Sequence, residues 1–311
     1  MRAKLRDVAC VWDRSEHAGM TDLVRWRGAF FLVFRDGETH IGGRDGVVFV
    51  LRSQDGQEWE RVAVLKREGR DLRDPKLSVA PDGRLMMSMA ADLIEGRRAV
   101  HRLCHVSFSQ DGNSWTPLVP MLLDGGADGE WLWRVSWHEG TAWSLAYSQP
   151  PDRENLRLRL LNSRDGRSWR HVIDLDVPDW PNESMASVLP DGRMLALIRR
   201  EKGDQKGWVG RADPPYTDWS YIPTACRFGG PHFLRLPDGR LIAAGRGLET
   251  GEEKTHLAAL TEDSYAPLLT LPSGGDTSYP GLVWHEDLLW VSYYSSHDGS
   301  SRIYMARAEI S

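Results

Sequence analysis

Between residues 182 and 199 polar and apolar positions alternate, pause and resume. Asn182-Glu183-Ser184-Met185-Ala186-Ser187-Val188 is a period-two run, Pro190-Asp191-Gly192 is a turn whose glycine accepts a left-handed backbone, and Met194-Leu195-Ala196-Leu197-Ile198 is a second, more apolar run. The pattern predicts a β-hairpin. Glu183 begins its first strand and Arg199 ends its second, so antiparallel pairing sets a carboxylate beside a guanidinium at the open end. The motif recurs along the chain. Copies start near Thr21-Asp22-Leu23, Arg73-Asp74-Pro75, Trp133-Arg134-Val135, Gly230-Pro231-His232 and Ser278-Tyr279-Pro280, and Pro81-Asp82-Gly83 and Pro237-Asp238-Gly239 repeat the turn. With Asp22, Asp74, Arg134, Glu183, His232 and Tyr279 as anchors, the interval is about fifty residues.

After three of the hairpins a strand leads into Ser-x-Asp-Gly-x-x-Trp, seen at Ser53, Asp55, Gly56 and Trp59, at Ser109, Asp111, Gly112 and Trp115, and at Ser163, Asp165, Gly166 and Trp169. The Asp can accept backbone amides two and three residues on, the Gly takes positive φ, and the Trp folds back beneath the turn, so these residues are read as structural. A fifty-residue unit of strands and turns is one four-stranded blade, and six such units fill the 311 residues. The expectation is therefore an all-β, six-bladed β-propeller of antiparallel blades, one domain spanning 1–311. Only residues 302–310 follow the last hairpin, enough for one strand, so Val8-Ala9-Cys10-Val11-Trp12 must complete the last blade and close the ring.

A net charge of -5 and a pI near 6.1 give no reason to expect nucleic acid or an acidic membrane as partner. Cys10, Cys104 and Cys226 are odd in number and lack metal-ligand spacing; buried thiols in a reducing compartment follow, and no cofactor is expected. The first residues lack the apolar core of a secretory signal, which predicts a cytoplasmic protein. Fourteen Trp against seven Phe exceed what the turns consume, leaving some for blade contacts or sugar stacking.

In a propeller the first strand of each blade lines the channel, so all open hairpin ends gather at one mouth. That mouth should carry Asp22, Arg73, Asp74, Arg134, Glu183, His232 and Tyr279, with Arg35, Tyr147, Arg199, Arg246 and Tyr294 at the second-strand ends. Ions so crowded must pair with one another or meet a ligand, because desolvation costs several kcal/mol per ion. Arg35, Arg199 and Arg246 are read as equivalent positions whose planar forks suit a substrate carboxylate; the rival reading pairs Arg199 with Glu183 and Arg35 with Asp36, Asp45 or Asp22. The loop Gly37-Glu38-Thr39-His40-Ile41-Gly42-Gly43-Arg44-Asp45 lies at the same end and can overhang the axis.

These features resemble the sialidase superfamily across all six repeats. The Ser-x-Asp-Gly-x-x-Trp turns are similar to its Asp-box. The stretch from Asn182-Glu183-Ser184 to Arg199 resembles the segment that supplies a catalytic Glu and, sixteen residues on, an arginine of the carboxylate-binding triad. Arg246 falls where the third arginine is expected, and Ser278-Tyr279-Pro280-Gly281 resembles the segment of the nucleophilic tyrosine. The resemblance implies an exo-glycosidase for a terminal, carboxylate-bearing sugar of a glycan: Tyr279 as nucleophile, Glu183 as its base, Arg35, Arg199 and Arg246 as clamp, and a loop acid/base. Asp45 leads for that last role, with His40, Glu38 and Asp36 as rivals, and no metal is needed. Two departures stand out. Thr21-Asp22-Leu23 replaces the family's Arg-Ile-Pro, with Arg35 as substitute, and Leu72-Arg73-Asp74-Pro75 resembles a segment of five-bladed furanosidases. The alternatives are an exo-glycosidase for a neutral or uronic sugar using Asp22, Asp74 and Glu183, and a non-catalytic glycan-binding propeller.

Overall fold

The computed structural model describes residues 1–126, 129–148 and 156–311. The predicted hairpin forms: Pro181–Val188 pairs antiparallel with Met194–Arg200, and Leu189 and Arg193 close the turn through backbone hydrogen bonds. Two further strands, Trp208–Ala212 and Trp219–Pro223, complete that blade. Six sheets of this kind make an all-β six-bladed propeller, with no helix among the described residues. The last is Thr277–His285, Leu288–Ser295 and Arg302–Ile310, with Ala3–Trp12 as its outermost strand. The N-terminal strand thus closes the ring, as the chain ends required.

Blade three departs from the pattern. Its innermost strand is split into Glu130–Leu132 and Ser136–His138, with Trp133, Arg134 and Val135 between, and Leu122–Leu123 adds a short parallel strand at the outer edge.

The Ser-x-Asp-Gly turns are near-identical in three blades. Asp55 Oδ1 accepts the amides of Gln57 and Glu58, Ser53 Oγ accepts that of Gly56, and Trp59 Nε1 donates to Gly56 O at 3.1 Å; the same bonds recur around Asp111 and Asp165. The glycines do more than turn the chain. A Cβ at Gly56 would overlap Trp290 of blade six, one at Gly112 would overlap Phe31 of blade one, and one at Gly166 would press on Met86 of blade two. Each turn is therefore seated on the preceding blade. Blade four reaches the same end without the motif, through Trp219 Nε1 donating to Tyr216 O at 2.9 Å. The apolar core fills the gaps between blades: Phe31, Val33 and Val48 of blade one are packed with Leu72, Leu85 and Met87 of blade two.

Candidate active site

At the mouth of the funnel the innermost strands are not regular. Pairing with the second strand slips by one residue between Gly19 and Asp22, Arg73 and Lys76, Pro181 and Ser184, Gly229 and His232, and Ser278 and Gly281. Each slip is a β-bulge, which re-aims the side chains it carries. Asp74 and Tyr279 occupy the same bulge position in blades two and six, both with φ of 49°. That conformation costs a side-chain-bearing residue on the order of 1 kcal/mol and is typical of functional sites. Glu183 is the second bulge residue of its blade, and Asp22 and His232 lie one position deeper. The six anchors therefore sit at different depths, not on one ring.

Tyr279 and Glu183 meet across the funnel. The phenol donates to Glu183 Oε1 at 2.5 Å, and Arg199 pairs with Oε2 of the same carboxylate. Burial and then the neighbouring Glu183 push the Tyr279 phenol well above its ordinary value near 10, so it stands as the neutral acid. Burial would raise Glu183 too, but Arg199, the Tyr279 hydrogen bond and Arg246 together hold it below the usual carboxylate range, so it stands as the anion. Gly230 makes room for the ring, since a Cβ there would lie 2.7 Å from Tyr279 Cδ1. Tyr294 stacks behind it with centroids 5.9 Å apart.

These groups line a cavity of about 480 Å³ bounded by His40, Trp180, Asn182, Glu183, Arg199, Glu201, Arg246 and Tyr279. Arg199 and Arg246 converge: a Cβ on Gly229 would be 3.4 Å from the Nε of each. Both are partly neutralised, Arg199 by Glu201 as well as Glu183, and Arg246 by Glu253 at 3.1 Å. A larger hollow of about 630 Å³ lies at the outer strands of blades two and three. Two of its lining ions are held in bidentate pairs, Arg102 with Asp92 and Glu130 with Arg159.

Arg35 is not available as a clamp. Its guanidinium is wholly buried and donates to both oxygens of Asp71, at 2.7 and 3.0 Å, and to Thr39 O at 2.8 Å. By strand register its counterparts are Arg246 and Arg200, opposite Gly19, Gly229 and Pro181 respectively, so Arg199 is not equivalent to it either. Of the three arginines, Arg199 and Arg246 border the cavity and Arg35 does not.

Asp22, Arg134 and His232 form the floor beneath Tyr279 and do not border the cavity. Arg134 donates to Asp22 Oδ1 and to Pro280 O, each at 2.8 Å, and His232 lies 4.0 Å from Asp22. Burial, then Arg134, drive the His232 imidazole down to about 3, so it is neutral. Lys76, which sequence reasoning passed over, completes the floor with its ammonium 5.3 Å from the Tyr279 ring centre; burial and Arg134 lower it to about 8.

On the blade-one loop, Asp45 is exposed and borders no part of the cavity. Asp36 is tied to Arg44 at 2.8 Å, and Glu38 accepts the Arg44 amide. Of the loop acids and bases named from sequence, His40 alone reaches the cavity. Arg73 anchors it, donating to His40 O at 2.7 Å. Asp74 stands nearby, buried, with Oδ1 lacking a partner; burial is the main cause of a carboxyl raised to about 6.

Solved structures share this architecture. A protein of unknown function from Dyadobacter fermentans superposes with a TM-score of 0.84 at 17% identity, over 99% of both chains. The likeness is one of fold. A mutant Trypanosoma rangeli sialidase displaying trans-sialidase activity matches with a TM-score of 0.72 and 13% identity, over 94% of this chain and 54% of its own, so this chain spans about half of that protein. The α-L-arabinofuranosidase arb93a of Fusarium graminearum matches with a TM-score of 0.71 and 13% identity, over 97% of both chains. No family model matches the sequence, and no curated protein does.

Proposed function

We propose that the protein is an exo-glycosidase that cleaves a terminal sugar with retention, through Tyr279 as nucleophile and Glu183 as its base. The observation that carries this reading is the 2.5 Å hydrogen bond from a buried, neutral phenol to an ionised carboxylate inside an open cavity. As Tyr279 Oη bonds to the anomeric carbon, its proton passes to Glu183 Oε1; Arg199 holds the other carboxylate oxygen and so the geometry of the pair. Glycosidase neighbours of the same fold, a sialidase and an arabinofuranosidase, support the reaction class. The shortened Asp-box turns add to the sialidase resemblance.

For the substrate we favour a sugar with a carboxylate near the anomeric centre. A neutral nucleophile avoids the repulsion such a group would exert on an anion, and Arg199 with Arg246 offers it a fork. A neutral sugar is the second reading, favoured by Glu201 and Glu253, which already balance the two arginines.

Assays with 4-methylumbelliferyl glycosides of N-acetylneuraminic acid, glucuronic acid, L-arabinofuranose and galactose separate the readings. Turnover of the sialoside, with an Arg246→Ala variant raising KM at least tenfold, supports the carboxylate clamp. Turnover of the arabinofuranoside, indifferent to that change, supports the neutral reading. Binding with no turnover of any of them would leave a lectin-like propeller.

A further inference from the structure

The loop before the last blade brings a carboxylate that no strand pattern announced. Asp276 Oδ2 accepts from His40 Nδ1 at 2.7 Å and from His17 Nε2 at 2.9 Å, while Oδ1 accepts the Tyr294 hydroxyl at 2.8 Å. Burial alone would raise this carboxyl, but those three donors hold it far below the usual range, so it is an anion. His17 and His40 meet edge to face with centroids 5.5 Å apart. Two imidazoles and one carboxylate also make a possible metal triad. His17 argues against that use: its Nδ1 is buried without a partner. A metal on Nε2 would force the proton onto Nδ1, where no protein group accepts it, whereas donation from Nε2 to Asp276 leaves Nδ1 bare.

For His40 the same logic fixes a tautomer. Nδ1 carries the proton given to Asp276, and Nε2, with no hydrogen-bond partner among the described residues, is the atom left for the cavity that His40 shares with Tyr279 and Glu183. The loop is held there from blade two by Arg73, and Asp74 and Tyr294 complete the polar surroundings. The geometry points to His40 as the general acid and base of the glycosidase reaction, with Asp276 as its positioning residue. This rests on the glycosidase reading and departs from the carboxylic acid that the sialidase resemblance implies for this role.

The step balances. In glycosylation Nε2–H of imidazolium His40 protonates the glycosidic oxygen as the C–O bond breaks and Tyr279 Oη bonds to the anomeric carbon, its proton going to Glu183. In hydrolysis neutral Nε2 takes a proton from water, whose oxygen attacks the anomeric carbon while the bond to Tyr279 breaks, and Glu183 returns the phenol proton. Asp276 remains ionised throughout and stabilises His40 whenever it is the imidazolium.

The test is the dependence of rate on the leaving group. A His40→Ala enzyme is assayed with alkyl, phenyl and difluoromethylumbelliferyl glycosides of the sugar that the wild type turns over. Loss of about 100-fold or more on the alkyl glycoside, shrinking to less than about tenfold on the activated aryl glycoside, is the expected result. An equal loss on all three overturns the assignment, because a structural defect does not sense the leaving group. Nitrogen-15 NMR of the wild type supplies a readout independent of turnover: His40 should be the Nδ1–H tautomer, and Asp276→Asn should abolish that preference. An Nε2–H tautomer at His40 overturns it as well. If the wild type turns over no glycoside, the glycosidase reading itself fails and the role of His40 falls with it; turnover with a flat leaving-group response removes His40 alone.

Discussion

Arg35 and Asp74 show how burial reverses what a side chain suggests in isolation. Arg35 was read from sequence as a substrate clamp, yet its fork is filled by Asp71, which arrives from the next blade and lies far away along the chain. Breaking a buried pair by removing one partner strands the other charge and costs roughly 3–5 kcal/mol. Arg35→Ala should therefore lower the urea midpoint by that equivalent, whereas Arg246→Ala should lower it distinctly less, because its partner Glu253 is partly exposed. Asp74 behaves differently because its carboxyl is raised, mainly by burial, to about 6. A raised acid binds its proton more tightly when folded, so this residue subtracts stability as pH climbs from about 4 through 6, and the penalty is complete above that. Asp74→Asn should stabilise the fold at pH 8 by on the order of 1–3 kcal/mol and change little at pH 4, measured by denaturation at both.

At the scale of strands and turns, what was legible is what local chemistry dictates. Pro-Asp-Gly between alternating runs gave the hairpins, and Ser-x-Asp-Gly-x-x-Trp gave three outer turns, because each is closed by bonds among neighbours in sequence. The bulges were not legible. One extra residue in a strand leaves the alternation on either side intact, so Asp22 and His232 were placed level with Tyr279 when they lie beneath it. Loop conformation was equally hidden: Asp45 was preferred to His40, and Asp276 was missed, because neither loop has a period to read. The turn tryptophans offer a graded test. Trp169 is almost fully buried at 2% exposure while Trp59 and Trp115 are only partly so. Trp169→Ala should cost about 3–5 kcal/mol and Trp59→Ala distinctly less, read from thermal or urea unfolding.

For the whole molecule, closure is what makes a site possible. Ala3–Trp12 seals blade six, the six sheets converge on one axis, and residues from blades four and six come within hydrogen-bond reach across blade five. Tyr279 and Glu183 are 96 positions apart in sequence, so only the ring joins them. Trapping the covalent intermediate shows whether they act as nucleophile and base. The protein would be incubated with a 2,3-difluorosialic acid, or the 2-fluoro analogue of whichever sugar it turns over, and the labelled peptide located by mass spectrometry. One glycosyl adduct on Tyr279, absent in Tyr279→Phe, is the expected result; an adduct on Asp74 or Glu183 instead would give the role of nucleophile to a carboxylate.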